Sequence, residues 1–114
     1  MIDITPEQME IVVGILGEHV PDCEVRAFGS RVNGKAKKHS DLDLCVACAE
    51  KLSPRKMGEL AEAFEESTLP FRVDVIDANT ISESFRKVVD ARFEVLPAKA
   101  ELKQSPLYVK ESPQ

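Results

Sequence analysis

Gly29-Ser30-Arg31-Val32-Asn33-Gly34-Lys35-Ala36-Lys37-Lys38-His39-Ser40-Asp41-Leu42-Asp43 is the stretch on which the reading of this chain turns. The run just before it, Val25 to Phe28, predicts a short strand that ends at the Gly29-Ser30 turn. Arg31 to Gly34 can close a single helical turn, which would aim backbone N–H groups at an anion. Asp41 to Ala47 then predicts a second strand, with Leu42, Leu44 and Val46 toward a core and Asp41, Asp43 and Cys45 on the opposite face. The two aspartates therefore share a face, with Cα atoms ~6.5 Å apart at a strand rise of ~3.3 Å per residue.

Working outward, Thr5-Pro6-Glu7-Gln8 has the form of a capping box with proline at the first helical position. Met9, Val12, Val13 and Leu16 follow at helical spacing, so a helix is expected over 6–19, ended by Pro21-Asp22. Ser53-Pro54 opens a second helix running to about Glu66, with Met57, Leu60, Ala61 and Phe64 as its apolar stripe. Leu69-Pro70 closes it, and Phe71 to Ile76 predicts a third strand with Val73 and Val75 facing one way and Asp74 the other. Thr80 or Ser82 caps a short helix carrying Ile81, Phe85, Val88 and Val89. The order is helix, strand, strand, helix, strand, helix. It predicts an α/β (α+β) domain over 1–96, a small mixed sheet with helices packed on one face and an open face bearing Asp41, Asp43 and Asp74. From Pro97 the chain turns polar, and residues 97–114 are expected to form an extended or mobile tail that holds the single tyrosine, Tyr108.

The 114 residues suffice for one core and one domain. No apolar run approaches the ~20 residues that span a bilayer, and Met1 to Pro6 lacks the basic and apolar regions of a signal peptide. A cytoplasmic protein is expected. Three cysteines, an odd number without framework spacing, argue against structural disulfides, and Cys45 and Cys48 read as buried thiols at a strand end. The net charge of −5 argues against a long nucleic-acid footprint. The positive charge is instead local, since Arg31, Lys35, Lys37 and Lys38 lie together without an intervening acid. A compact anion such as a triphosphate suits that footprint.

Magnesium takes oxygen ligands, commonly one or two carboxylates together with substrate phosphates. Asp41 and Asp43 on one strand face, with Asp74 on a neighbouring strand, can hold a pair of such ions about the reacting phosphate. Glycine at position 29 lets backbone approach phosphate closely, and Ser30 can donate from its hydroxyl and its N–H. Each feature has a plainer reading. Gly-Ser is a common turn, Asp-x-Asp a common solvated strand pattern, and the lysines an ordinary charged loop. His39 reads as a solvated loop residue, His19 as a residue at a helix C-terminus, and Asp77 as a polar residue at a sheet edge. Turn, cationic loop and paired acids in fixed order are what the plainer readings fail to explain together.

Gly29-Ser30, ten intervening residues and then Asp41-Leu42-Asp43 resemble the signature of the polymerase-β nucleotidyltransferase superfamily, with Gly34 at its second glycine. Arg72-Val73-Asp74-Val75-Ile76 is similar to its third-acid strand, and the layout from Thr5 to about Leu96 resembles the minimal nucleotidyltransferases. That branch includes antitoxins paired with HEPN-domain toxins. The resemblance implies a Mg2+-dependent enzyme, with two ions, that transfers AMP from ATP to a hydroxyl. Asp41, Asp43 and Asp74 would hold metal, with Asp74 or a metal-bound hydroxide taking the proton, and Gly29, Ser30 and Arg31 would bind phosphate. It further implies that the acceptor is a tyrosine on a partner HEPN toxin. A domain this small has little surface left to enclose a second substrate, which agrees with an acceptor on a separate protein. Two other readings are a partner-binding antitoxin module with little or no catalysis, and a minimal aminoglycoside-type nucleotidyltransferase completed by a partner. Residues 97–114 extend beyond the resemblance.

Overall fold

The computed structural model describes residues 2–98. Helix α1 (Pro6–His19) starts as its sequence dictates. The Gln8 N–H donates to Thr5 Oγ1 at 3.1 Å, and the Thr5 N–H donates back to Gln8 Oε1 at 2.9 Å. Strand β1 (Glu24–Phe28) leads into the one-turn helix α2 (Ser30–Asn33) and then strand β2 (Leu42–Ala47). Helix α3 (Pro54–Glu65) is capped by Ser53, whose hydroxyl accepts from the Lys56 N–H. Strand β3 (Val73–Asp77), helix α4 (Glu83–Ala91, capped by Ser82) and a two-residue strand β4 (Glu94–Val95) complete the described chain.

The four strands lie in the order β3-β2-β1-β4, with β1 antiparallel to both neighbours and β2 parallel to β3. A parallel pair needs a long crossover, which α3 supplies, whereas the antiparallel β1–β2 pair needs only the loop that contains α2. The loop between Phe28 and Leu42 is thereby held against the start of β2. β4, whose two residues carry no periodicity, was not anticipated by the sequence pattern. It is fixed by pairing with Arg26 and Ala27, and by the Leu96 N–H donating to the Val25 carbonyl at 2.9 Å.

The main core lies where α1 and α3 meet one sheet face. Val12, Leu42, Leu44, Val46 and Leu60 are completely inaccessible there, and burying a side chain of this size stabilises by about 1.5–3 kcal/mol. Helix α4 departs from the expected arrangement. Its Val89 packs with Phe28, Cys45 and Ala78 as a second, smaller cluster on the opposite face. That face is therefore divided, with Cys45, Ala78 and Ile76 under or beside α4 and the aspartates outside it.

The cysteine expectation is corrected. Cys23 and Cys48 form a disulfide between the approach to β1 and the exit of β2, leaving only Cys45 as a free, buried thiol. Glu24 pairs with Ala47 in the antiparallel register, so the residues just outside that pair are necessarily neighbours. Asp77 is corrected as well. It sits on the edge strand but is buried, its carboxylate accepting from the Leu52 N–H at 2.8 Å and the Asn79 N–H at 2.9 Å. It ties the loop ahead of α3 to the end of β3. Among the described residues no helix is long and apolar enough to cross a membrane.

Candidate active site

Strand register assembles the site. Phe28 opposes Asp43 across β1–β2, and Asp43 opposes Asp74 across β2–β3, so the three form one row on one face of the sheet. Asp41 precedes β2 on the same face, two residues from Asp43. Asp41 and Asp74 are exposed and Asp43 is half-buried. The Asp43 carboxyl titrates above the ordinary aspartate range, first because burial disfavours its charge and then because Asp74 and Asp41 repel it. A site that raises the energy of its own carboxylate in this way is suited to receive positive charge.

Gly29 closes the other side of Asp43. Its φ of 83° and ψ of −157° lie in a region that is essentially restricted to glycine, and a Cβ at this position would collide with Asp43 Oδ2. The backbone at Gly29-Ser30 and the Asp43 carboxylate thus share a space too small for any side chain at position 29. α2 starts at Ser30 with no side-chain cap; the Val32 and Asn33 N–H groups donate to the Gly29 carbonyl at 3.0 Å, which leaves those of Ser30 and Arg31 without intrahelical partners. Lys35, Lys37 and Lys38 are exposed in the following loop, and their ammonium groups form no ion pair among the described residues.

Arg31 occupies a different place from the one its position suggests. It is buried, with its guanidinium 4.2 Å from the centre of the Phe71 ring. Its donors reach the carbonyls of Ser40 and Asp3 at 2.8 Å, Lys38 at 3.1 Å and Lys37 at 3.4 Å. A guanidinium so committed shapes the loop that carries the lysines and brings Asp41 to its strand. The sequence did not signal this, because Asp3 and Phe71 are remote in the chain.

Hard oxygen donors flanking a destabilised carboxylate fit a divalent cation. The fit is of a particular kind. Among the described residues no three His, Cys, Asp or Glu side chains converge closely enough to hold an ion on their own. The acids form a pair and a neighbour, which suits a metal whose remaining ligands come from phosphate and water. A groove of about 650 Å³ opens beside them, with Asp41, Asp74 and His39 at its rim and Phe64 and Phe71 in its wall. Another cavity, of about 330 Å³ between α1 and β4, is lined by none of the acids.

A mixed sheet with acids on adjacent strands, faced by a Gly-Ser turn, is the geometry of a nucleotidyl-transfer site. Residues 24–101 match the model of the family described as polymerase beta, nucleotidyltransferase, and the chain belongs to that family. It is 47% identical over 105 residues to the probable protein adenylyltransferase MntA of Haemophilus influenzae, a match that covers 92% of each chain. It is 38% identical over 93 residues to the protein adenylyltransferase MntA of Thermococcus cleftensis, covering 78% of this chain and 93% of the relative. Among solved structures, a toxin–antitoxin complex with AMP-PNP superposes with a TM-score of 0.68 at 24% identity, over 84% of this chain and 77% of that one. A complex of tri-AMPylated Shewanella oneidensis HEPN toxin with its MNT antitoxin gives 0.62 at 20% identity, over 88% and 78% of the two chains. At these identities the structural likeness establishes the fold.

Proposed function

We propose that this protein is an adenylyltransferase that moves AMP from ATP to a hydroxyl of a partner HEPN toxin, and so acts as that toxin's antitoxin. The observation that carries the reading is the row Phe28–Asp43–Asp74, with Gly29 pressed against the Asp43 carboxylate. The Gly29-Ser30 turn lies against the Asp43 carboxylate, and Asp74 follows Asp43 on the next strand, which supports a phosphate approaching the turn beside two acids. The 47% identity to a probable protein adenylyltransferase over most of both chains supports a protein as the acceptor.

In this reading Gly29 and Ser30 receive the β- and γ-phosphates, Ser30 donating from its hydroxyl and N–H. The exposed lysines of the following loop lower the cost of bringing a triphosphate beside three carboxylates. Asp41 and Asp43, with Asp74 beside them, would hold Mg2+, which when bound neutralises phosphate charge and favours departure of pyrophosphate. Asp74 accepts the proton of the incoming hydroxyl as the new O–P bond forms and the bond to pyrophosphate breaks. Phe28 gives Asp43 an apolar neighbour on the row, consistent with the burial that destabilises its charge. Arg31 acts through the loop it holds rather than on phosphate.

The test is intact mass spectrometry of a HEPN toxin incubated with this protein, ATP and Mg2+. One or more AMP additions are expected, absent with Asp41→Asn or Asp43→Asn and absent after chelation. Protection of cells by the Asp41→Asn protein as strong as by wild type, with no mass shift, would replace catalysis by neutralisation through contact.

A further inference from the structure

Among the described residues β3 is an edge strand, paired only with β2. The Leu42 N–H donates to the Arg72 carbonyl and the Ala78 N–H to the Val46 carbonyl, both at 2.9 Å. In a parallel ladder this phase directs the even-numbered residues of β3 toward β2. Val73 and Val75 therefore turn their N–H and C=O groups outward. Edge strands in native proteins are commonly guarded by charged residues, proline or a covering segment; β3 carries no lysine or proline, its exposed charge is Asp74, and Pro70 and Arg72 lie just before it along the groove.

The groove beside the acids runs along this edge. Its walls are Ala61 and Phe64 of α3 together with Leu69 and Phe71, and Asp41 and Asp74 stand at its rim. Ala61 belongs to the apolar stripe of α3 yet is exposed, so this part of the stripe lacks a covering partner within the described chain. The electrostatics add a second observation. Glu62 and Glu65 lie in the last turn of α3 and Glu66 caps it, with no basic residue in that turn. Acids there oppose the helix macrodipole, and none of the three forms an ion pair among the described residues. Glu65 itself lines the groove.

In-line displacement fixes which reactant belongs on this side. With the β- and γ-phosphates on the Gly29-Ser30 turn, as in the function proposed above, pyrophosphate would leave on the β1 side of Asp43 and the nucleophile would approach from the β3 side, where Asp74 and the groove lie. We propose that an extended, basic segment of the partner protein docks in the groove, pairs with the outward N–H and C=O groups of Val73 and Val75, and so presents its acceptor hydroxyl to Asp74. The proposal rests on the adenylyl-transfer reading above. Backbone pairing on the β3 edge supplies affinity, and the acidic end of α3 selects basic flanking residues. Docking there also relieves the repulsion concentrated at that helix end.

Two variants test this without touching the acids or the Gly-Ser turn. Ala61→Trp fills the groove from an exposed helix position. Glu62→Lys with Glu65→Lys and Glu66→Lys reverses the charge, and because it places cations at a helix C-terminus it favours folding. With a HEPN toxin as the acceptor, each variant should raise the KM for that protein by about ten-fold or more, with kcat and calorimetric ATP affinity within about two-fold of wild type. An unchanged KM in either variant overturns the docking site. Concentration-dependent sedimentation of this protein alone, abolished by Ala61→Trp, would assign the edge to a second copy and overturn it too. A wild-type protein that binds ATP yet leaves the toxin unmodified would overturn the underlying transfer reading, a result distinct from either of these.

Discussion

Gly29→Ala is the sharpest perturbation the structure offers, because one methyl group acts on both the fold and the chemistry. The backbone at Gly29 (φ 83°, ψ −157°) is in a region where a residue with a Cβ carries about 1–3 kcal/mol of strain. For a domain of this size, 2 kcal/mol corresponds to a fall in Tm of roughly 8–16 °C. The same Cβ meets the Asp43 carboxylate, which must retreat by on the order of 1 Å to regain ordinary contact, and a misplacement of that size can reduce a rate about 100-fold. Calorimetric melting and labelled AMP transfer at saturating ATP measure the two effects separately.

Gly34→Ala provides the control. Gly34 also has a positive φ, 81°, but nothing lies within 4 Å of a Cβ built there. It should lose only the ~1–2 kcal/mol of the left-handed backbone and keep most of its activity when assayed below its Tm. Combining Gly29→Ala with Asp43→Ala removes the object of the collision, so the double variant should be more stable than the sum of the single effects predicts, by about 0.5–3 kcal/mol. Transfer by Gly29→Ala within two-fold of wild type would refute the close approach of turn and carboxylate, leaving Gly29 a turn residue. An equal loss of activity in Gly34→Ala would place the effect in the loop as a whole.

Three further predictions rest on other parts of the site. Asp43 binds its proton more tightly in the folded than in the unfolded chain, so its contribution to stability should fall as pH rises from about 4 through its raised value and then level off. Asp43→Asn should remove that slope and raise Tm at neutral pH without divalent cation, and melts showing an unchanged slope would refute the raised proton affinity that burial, with repulsion by Asp74 and Asp41, gives this carboxyl. Arg31→Lys cannot reproduce four carbonyl contacts and the stack on Phe71, so it should lower Tm by several degrees, whereas a raised KM for ATP at unchanged Tm would restore Arg31 to phosphate binding. Alkylation of the unfolded, unreduced protein should label Cys45 alone, and reduction should expose Cys23 and Cys48 as well, as read by intact mass.

Much of the fold is local information. Thr5, Ser53 and Ser82 each cap a helix through their own hydroxyl, and alternation in β2 sets Leu42, Leu44 and Val46 against Asp43 within a single strand. What escaped the sequence depends on residues far apart in the chain. Cys23 meets Cys48 because antiparallel pairing brings Glu24 to Ala47, and Asp77 is buried because a loop 25 residues earlier places the Leu52 N–H on it. Arg31 lies within a cationic stretch that reads as an anion site, yet its guanidinium meets Asp3 and Phe71. The α3 stripe was legible as a pattern, and only the structure shows that Ala61 faces a groove rather than the core. Residues 99–114, including Tyr108, lie outside the described residues, so the expected tail is seen only at its start.

Asp43 is where local and distant information meet. Its own strand gives it a face shared with Asp41, the β1 register gives it Phe28, the β3 register gives it Asp74, and Gly29 leaves its carboxylate the space a side chain would fill. Burial and two neighbouring charges raise its proton affinity, and each works against a folded chain that lacks a cation. A residue selected for stability alone would be asparagine or a small apolar residue. The site therefore holds an arrangement that costs stability in isolation and that, in the proposed function, positive charge arriving with the triphosphate would relieve. The same logic extends to the acidic end of α3, where charge opposed to the helix dipole would favour the basic partner segment proposed above. In the reading proposed above, a locally unfavourable charge would mark in both places the side from which a reactant approaches, the nucleotide toward Gly29-Ser30 and the acceptor along β3.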